Sequence, residues 1–343
     1  MTAIAEASTT AEPAPGVDPT TEPATTTTTT LGRSDVRVSR LGVGAMTWGD
    51  PSGIARLHPA KLSYGGPRGI EEERAALEAS VAAGVALFDT AAMYSLGAAE
   101  RRLGELARGH ELQIATKFPA GMRDRADDLP AALEASLARL GRSSVELYMH
   151  HYPTGRVSIP RLMDLMADAV EAGKVRAVGV SNYSAEQLRL AHSALAERGI
   201  PLASIENGYS LLDRRVETNG VLDACRELGI TLIAYQPLAS GALTGKYADG
   251  TRPRGLRRFM VRHFRGSGRE AAAPIIALLQ EIAGRHAGTP AQVALRWLIE
   301  QGDVIPIPGA KNGSQAAANA AALTFQLTAD EIEALSQATL AWR

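Results

Sequence analysis

From Glu71 onward, segments with helical periodicity alternate one for one with short apolar runs, and this alternation constrains the fold more tightly than any other feature of the chain. Helical spacing covers Glu72–Ala82, Ala98–Ala107, Pro130–Leu140, Arg161–Glu171, Ala185–Arg198, Val216–Leu228 and Pro290–Glu300, with further helices near Gln315 and Asp330. Between them lie runs ending at Asp89, Lys117 and His151, then Val175–Val180, Ala203–Glu206, Thr231–Tyr235 and Val304–Ile307. A helix between successive strands returns the chain to the same edge, so the strands pair in parallel. Folding begins near Val36, and eight such units close an α/β barrel of the (β/α)8, or TIM-barrel, type. An open doubly wound sheet is the structural rival.

Three consecutive runs share a polar ending. Val85-Ala86-Leu87-Phe88 stops at Asp89, with Tyr94 soon after; Gln113-Ile114-Ala115-Thr116 leads into Lys117; Val145 to His150 leads into His151. Barrels carry their active sites at the C-terminal edge of the strands, and that is where these groups fall. Alone, each has an ordinary explanation: a strand-end aspartate caps helices, and a lone tyrosine or histidine packs with a satisfied tip. Of the adjacent histidines, strand alternation sends His150 and His151 to opposite faces.

Composition limits the alternatives. The chain of 343 residues carries a formal net charge of −1, which offers no field to recruit nucleic acid or an anionic membrane. No stretch approaches the roughly 18 apolar residues of a membrane helix. The single cysteine, Cys225, has no intramolecular disulfide partner and falls on a helix, away from any histidine-rich or metal-ligating cluster. Residues 1 to 34 form an acidic, Thr/Pro/Ala-rich tail ending in the threonine run Thr25–Thr30, too poor in apolar surface to offset its ordering entropy, so disorder is expected there. The tail lacks the features of a secretory or transit signal, which implies a cytoplasmic protein. The domain therefore spans 35 to 343, with small molecules as its partners and its oligomeric state open.

A doubly wound dinucleotide site requires Gly-x-Gly-x-x-Gly directly after the first strand. Gly42-Val43-Gly44 is followed by Thr47 at the third position and fails; Gly266-Ser267-Gly268-Arg269-Glu270-Ala271 matches but follows an arginine-rich stretch instead of a strand.

The strand-end groups in their order resemble the aldo-keto reductases, over roughly residues 35 to 340. That family folds as a (β/α)8 barrel with an Asp, Tyr, Lys, His tetrad, here Asp89, Tyr94, Lys117 and His151, the last identified by the His151-Tyr152-Pro153 motif. The resemblance implies reduction of an aldehyde or ketone by a nicotinamide cofactor. In that chemistry Tyr94 is the general acid, Lys117 the ammonium that favours its phenolate, Asp89 the counter-ion of Lys117, and His151 the polariser of the carbonyl. Trp48 and Tyr152 would line the substrate mouth. Gly44 and Met46 match the opening strand that the cofactor approaches, Ser181 and Asn182 the carboxamide site, and Tyr235 the residue stacked on the nicotinamide. Gln236, Leu238, Gly241 and Lys246 match the pyrophosphate loop; Gly309, Lys311, Gln315 and Asn319 match the adenosine-phosphate region. Lys311 as partner of a 2′-phosphate favours NADPH over NADH. Between Arg252 and Arg269 stand seven arginines and no acid, a solvated face or a flap over the pyrophosphate.

One position departs from the family. Glu206 stands where a glutamine usually contacts the carboxamide, and an ionised carboxylate accepts hydrogen bonds without donating and favours a cationic ring. Two other readings remain: a non-catalytic sensor of the nicotinamide cofactor, and a Schiff-base aldolase using Lys117. Specificity resides in loops, here Asp50 to Pro67, Gly121 to Asp128 and the arginine-rich segment, and names no substrate.

Overall fold

In the computed structural model, the described residues are 27–50, 63, 65, 69–119, 125–154, 157–248, 251, 253, 259 and 261–343. Of the ten strands among the described residues, eight form one parallel sheet: β3 (Gly42–Gly44), β4 (Leu87–Asp89), β5 (Gln113–Phe118), β6 (Val145–His150), β7 (Val175–Ser181), β8 (Leu202–Gly208), β9 (Thr231–Tyr235) and β10 (Val304–Pro306). Neighbours in sequence are neighbours in the sheet. The seam closes where the Gly44 amide donates to the Pro308 carbonyl at 3.1 Å and Gly44 bridges Gly309 in parallel. An open sheet is thereby excluded: this is a (β/α)8 barrel.

The outer layer comprises α1 (Ile70–Ala82), α2 (Ala98–Leu106), α3 (Leu129–Leu140), α4 (Ile159–Glu171), α5 (Ala185–Ala196), α6 (Val221–Leu228), α7 (Gly266–Arg285), α8 (Pro290–Ile299), α9 (Gly313–Ala320) and α10 (Ala329–Ala338). Several start where the sequence supplies a side-chain cap. Ser184 with Gln187, Thr289 with Gln292 and Thr328 with Glu331 form reciprocal capping boxes that satisfy two orphan amides each.

Strand alternation divides the apolar residues into two cores. Phe88, Ile114, Tyr148, Val178, Ile205 and Leu232 face the helices. Leu87, Ala115, Leu147, Met149, Ala177, Ile233 and Ile305 fill the barrel interior. Counting two residues onward from interior positions gives Asp89 after Leu87, Lys117 after Ala115, His151 after Met149 and Tyr235 after Ile233. The groups at the strand ends thus have the parity of the barrel lumen.

The N-terminal boundary differs from expectation. Thr28–Thr30 (β1), the end of the threonine run assigned to the tail, pairs antiparallel with Arg37–Ser39 (β2). The hairpin carries Leu31, Val36 and Val38 into the interior core, where Leu31 is 0% exposed. Ordered structure thus begins ahead of residue 35, because these three apolar residues are buried within the interior core. Residues 1–26 lie outside the described residues.

Candidate active site

Lys117 is the centre of the site. Although 0% exposed, it has three oxygens to meet its ammonium: Asp89 Oδ1 at 2.5 Å and the Thr90 carbonyl at 3.0 Å, which accept its hydrogen bonds, and Glu206 Oε2 at 3.2 Å. Burial alone would drive the proton off a lysine, but the two carboxyls outweigh it and its pKa stays above the usual value. The ammonium also lies 5.2 Å from the centre of the Tyr94 ring.

Tyr94 opens the short 3-10 turn Tyr94–Gly97, whose Ser95 and Leu96 hold left-handed backbone angles (φ 49° and 53°). Such angles are costly for side chains larger than glycine's, and here they hold the tyrosine at the rim beside the lysine. Burial raises the phenol above its ordinary pKa; Lys117 pulls it down, while Asp89 and Glu206 push it up. Lys117 therefore favours the phenolate as expected, but desolvation dominates, and Tyr94 is held as a neutral phenol.

His151 meets the Tyr94 ring edge-on at 5.6 Å and stacks on Tyr152 at 4.6 Å. Burial, helped by the Lys117 charge, depresses its pKa to about 2, so it is a neutral imidazole. Its Nδ1 is buried without a hydrogen-bond partner. His150 faces the helices instead, 2.7 Å from the Tyr183 hydroxyl.

Asp89, Tyr94, Lys117 and His151 therefore converge at one end of the lumen. Ser181, Asn182, Glu206 and Tyr235 join them from the next three strands. The Glu206 carbonyl accepts from the Ser181 hydroxyl and the Asn182 amide, both at 3.0 Å. The Asn182 side chain donates to the His151 carbonyl at 3.1 Å and accepts from the Tyr235 hydroxyl at 2.9 Å. Asn182 itself is left-handed (φ 61°), a strain fixed by these bonds.

The remaining candidates sort by position. Tyr152 is 45% exposed. Trp48 is not at the mouth: it is 0% exposed, packs on Phe88 and donates its indole N–H to the Ala310 carbonyl at 2.8 Å. An indole of that size fills the gap between β3, β4 and the loop after β10, so the substrate role is withdrawn. Gly44 serves the seam, where a Cβ would come 3.1 Å from the Ile307 carbonyl oxygen; half-buried Met46 follows it.

Past β9, Gln236, Ala239, Ser240 and Gly241 all take left-handed angles, folding Leu238 and Gly241 into a tight 3-10 turn, with Lys246 exposed beyond it. At the neighbouring rim, Gln315 folds back to accept from the Lys311 amide at 3.0 Å and Asn319 donates to the Gly309 carbonyl at 3.4 Å. The loop segments 51–62 and 121–124 and Arg252, Arg254, Arg257 and Arg258 lie outside the described residues, while Arg262 sits over the Trp342 ring at 5.0 Å. Among the described residues no His, Cys, Asp or Glu group suits a metal ion, and no helix is long and apolar enough to cross a membrane.

Two contacts escaped the sequence reading: the Thr90 carbonyl on Lys117, and the placement of Glu206 against the same ammonium. The signal for the second was parity, since Glu206 pairs in register with inward-facing Ser181.

An ion cluster, a phenol and a neutral imidazole thus meet at one end of a barrel lumen whose interior core includes the aliphatic residues of the opening hairpin. The family model "Aldo/keto reductase family" matches residues 40–339, and the chain belongs to that family. It is 34% identical over 310 residues to an aldo-keto reductase from Strobilurus tenacellus, covering 87% of this chain and 88% of that protein. It is 35% identical over 311 residues to the chloroplastic pyridoxal reductase of Arabidopsis thaliana, covering 86% and 81% respectively. An aldo-keto reductase of Schizosaccharomyces pombe whose name includes NADP(+) is 31% identical over 290 residues, 80% of this chain and 84% of that one. Among solved structures, a thermostable aldo-keto reductase in complex with the inhibitor epalrestat has a TM-score of 0.70 at 27% identity, covering 91% of this chain and 99% of that one. The glycerol dehydrogenase of Gluconobacter oxydans shares the fold, with a TM-score of 0.76 at 24% identity over 91% and 94% of the two chains. The protein is accordingly an oxidoreductase of that family.

Proposed function

We propose that the protein reduces an aldehyde or ketone to an alcohol with NADPH in preference to NADH. The observation that carries this reading is the convergence of a neutral phenol, a charged and paired lysine and a neutral imidazole at one rim of the barrel. When bound, the nicotinamide supplies the hydride.

The chain's own residues supply the rest. The Tyr94 hydroxyl donates a proton to the carbonyl oxygen as negative charge develops there, and Lys117, 5.2 Å from the Tyr94 ring, stabilises the phenolate left behind. Asp89 keeps Lys117 charged and fixed, and neutral His151 orients the substrate oxygen by a hydrogen bond. Tyr152 forms one wall of the mouth.

The residues fit a nicotinamide. Asn182 is pinned from both sides and Tyr235 is held by its hydroxyl with its ring half-buried, which sets a fixed amide beside a flat aromatic face. The left-handed turn after β9 and the Gly309–Asn319 segment would carry the phosphates and adenosine, with Lys311 facing a 2′-phosphate; the NADP(+) in the name of the fission-yeast relative supports that preference. A lysine held protonated by two carboxyls is a poor amine nucleophile, which weighs against the Schiff-base alternative.

The test is consumption of NADPH and NADH with a panel of carbonyl compounds. Tyr94→Phe should lower kcat by about 10²- to 10⁴-fold with cofactor affinity retained. Full activity of that variant would refute Tyr94 as the acid; cofactor binding without any turnover would support a sensor instead.

A further inference from the structure

The tetrad requires one carboxylate for its lysine, yet this site contains two. Asp89 Oδ1 and Glu206 Oε2 stand 2.5 Å and 3.2 Å from the same Nζ, and all three side chains are buried. The titratable groups that face Glu206 are Asp89 from β4, Tyr94 from the turn after it, Lys117 from β5 and Tyr235 from β9, with neutral His151 on the other side of Lys117. β7 contributes only uncharged Ser181 and Asn182. Fully ionised, two carboxylates and one ammonium would leave an uncompensated negative charge in a dry lumen, so the cluster retains a proton shared between its carboxyls.

Glu206 also belongs to the proposed nicotinamide pocket: its carbonyl holds Ser181 and Asn182, and Asn182 holds Tyr235. We propose that Glu206 couples the charge of the bound nicotinamide to the shared carboxyl proton, so that the oxidised, cationic ring binds with release of one proton and the reduced, neutral ring binds without it. The inference rests on the reading of the site as a nicotinamide reductase and deepens it. The balance is simple: the carboxyl O–H bond breaks, the proton passes to solvent, and the carboxylate left behind neutralises the ring's positive charge. Burial and the neighbouring Asp89 charge, only partly offset by Lys117, raise Glu206 to about 8, which places the loss of this proton in an accessible pH range.

The experiment measures dissociation constants of NADPH and NADP+ for the full chain, by tryptophan fluorescence and calorimetry, without substrate. The quantity compared is their ratio, because both forms carry the same phosphates and the titration of those groups cancels. In the wild type, affinity for NADP+ relative to NADPH should rise by up to tenfold per pH unit from about pH 6 and level off near pH 8, where the free protein has already lost the proton. Glu206→Gln and Asp89→Asn each leave one carboxylate for one ammonium, so both should hold the ratio near the wild type's acid-side value at every pH. Calorimetry near neutrality, in buffers of different ionisation heat, should find about one proton released with NADP+ for the wild type and none for Glu206→Gln. A variant ratio that rises in parallel with the wild type would overturn the inference while leaving the reductase intact. Absence of binding by either form would remove the reductase reading itself, and this inference with it.

Discussion

Replacing Glu206 with glutamine should make the folded protein more stable, by an amount that grows with pH. In the wild type the Glu206 carboxyl titrates at an ordinary 4.5 when unfolded and near 8 when folded. Between those values the native state binds the proton that the unfolded state has lost, so stability falls as pH rises. The linkage is about 1.4 kcal/mol per pH unit, which over the window gives a ceiling of about 5 kcal/mol; with relaxation and water entry in such clusters, about 2–3 kcal/mol is the working figure. A glutamine of the same shape accepts from Lys117 through its carbonyl and donates to Asp89 through its amide, so no polar atom is stranded. The assay is urea unfolding of wild type and variant from about pH 5 to about pH 9, with the difference between the two isolating this side chain from all other titrations. Near pH 5 the midpoints should nearly coincide; near pH 9 the variant should lead by the amount stated. Midpoints that keep a constant spacing across the range would show that Glu206 carries no displaced proton in the folded state.

Other perturbations follow from the same contacts. Lys117→Met removes the cation held between two buried carboxyls and should cost about 3–5 kcal/mol at neutral pH, with part of the loss recovered in acid as the carboxyls protonate; equal loss at both pH values would argue against an electrostatic origin. Leu31→Ala in the interior core should lower unfolding free energy by about 2–5 kcal/mol, read from denaturant midpoints. Gly104→Ala places a Cβ 2.4 Å from the Leu140 carbonyl oxygen, a clash with backbone, and should abolish soluble expression or lower the thermal midpoint by several degrees.

Most of the barrel was legible because a parallel sheet writes its order into the chain. The segments from Glu72 to Glu300 recur as helices shifted by a few residues at their ends, and Asp89, Lys117, His151 and Tyr235 could be placed at strand ends from apolar runs alone. The opening hairpin was illegible because threonines beside an acidic, proline-rich stretch show no apolar alternation, and its reason to fold is a long-range one: the lumen it fills is built by strands from Leu87 to Ile305. Trp48 was misjudged for a related reason. An aromatic residue near the rim reads the same from sequence whether it points to solvent or beneath the last loop, and only closure of β3 on β10 decides it. The long helix Gly266–Arg285 is absent from the segments read off the sequence, and Pro274 inside it is a residue that ordinarily interrupts helical periodicity. The second carboxylate on Lys117 depended on curvature: β5 and β8 are not neighbours in the sheet and approach only across the closed lumen.

The hairpin at the far end has one more consequence. Leu31, Val36 and Val38 belong to the same interior core as Ala115 and Met149, the residues two positions before Lys117 and His151, and add apolar cover to it. The dielectric surroundings of Lys117 are thus governed in part by residues that never approach a substrate. A leak in that cover would hydrate the cluster, draw Glu206 back toward an ordinary carboxylic acid, and retune the pH response of the opposite end without altering a single group there.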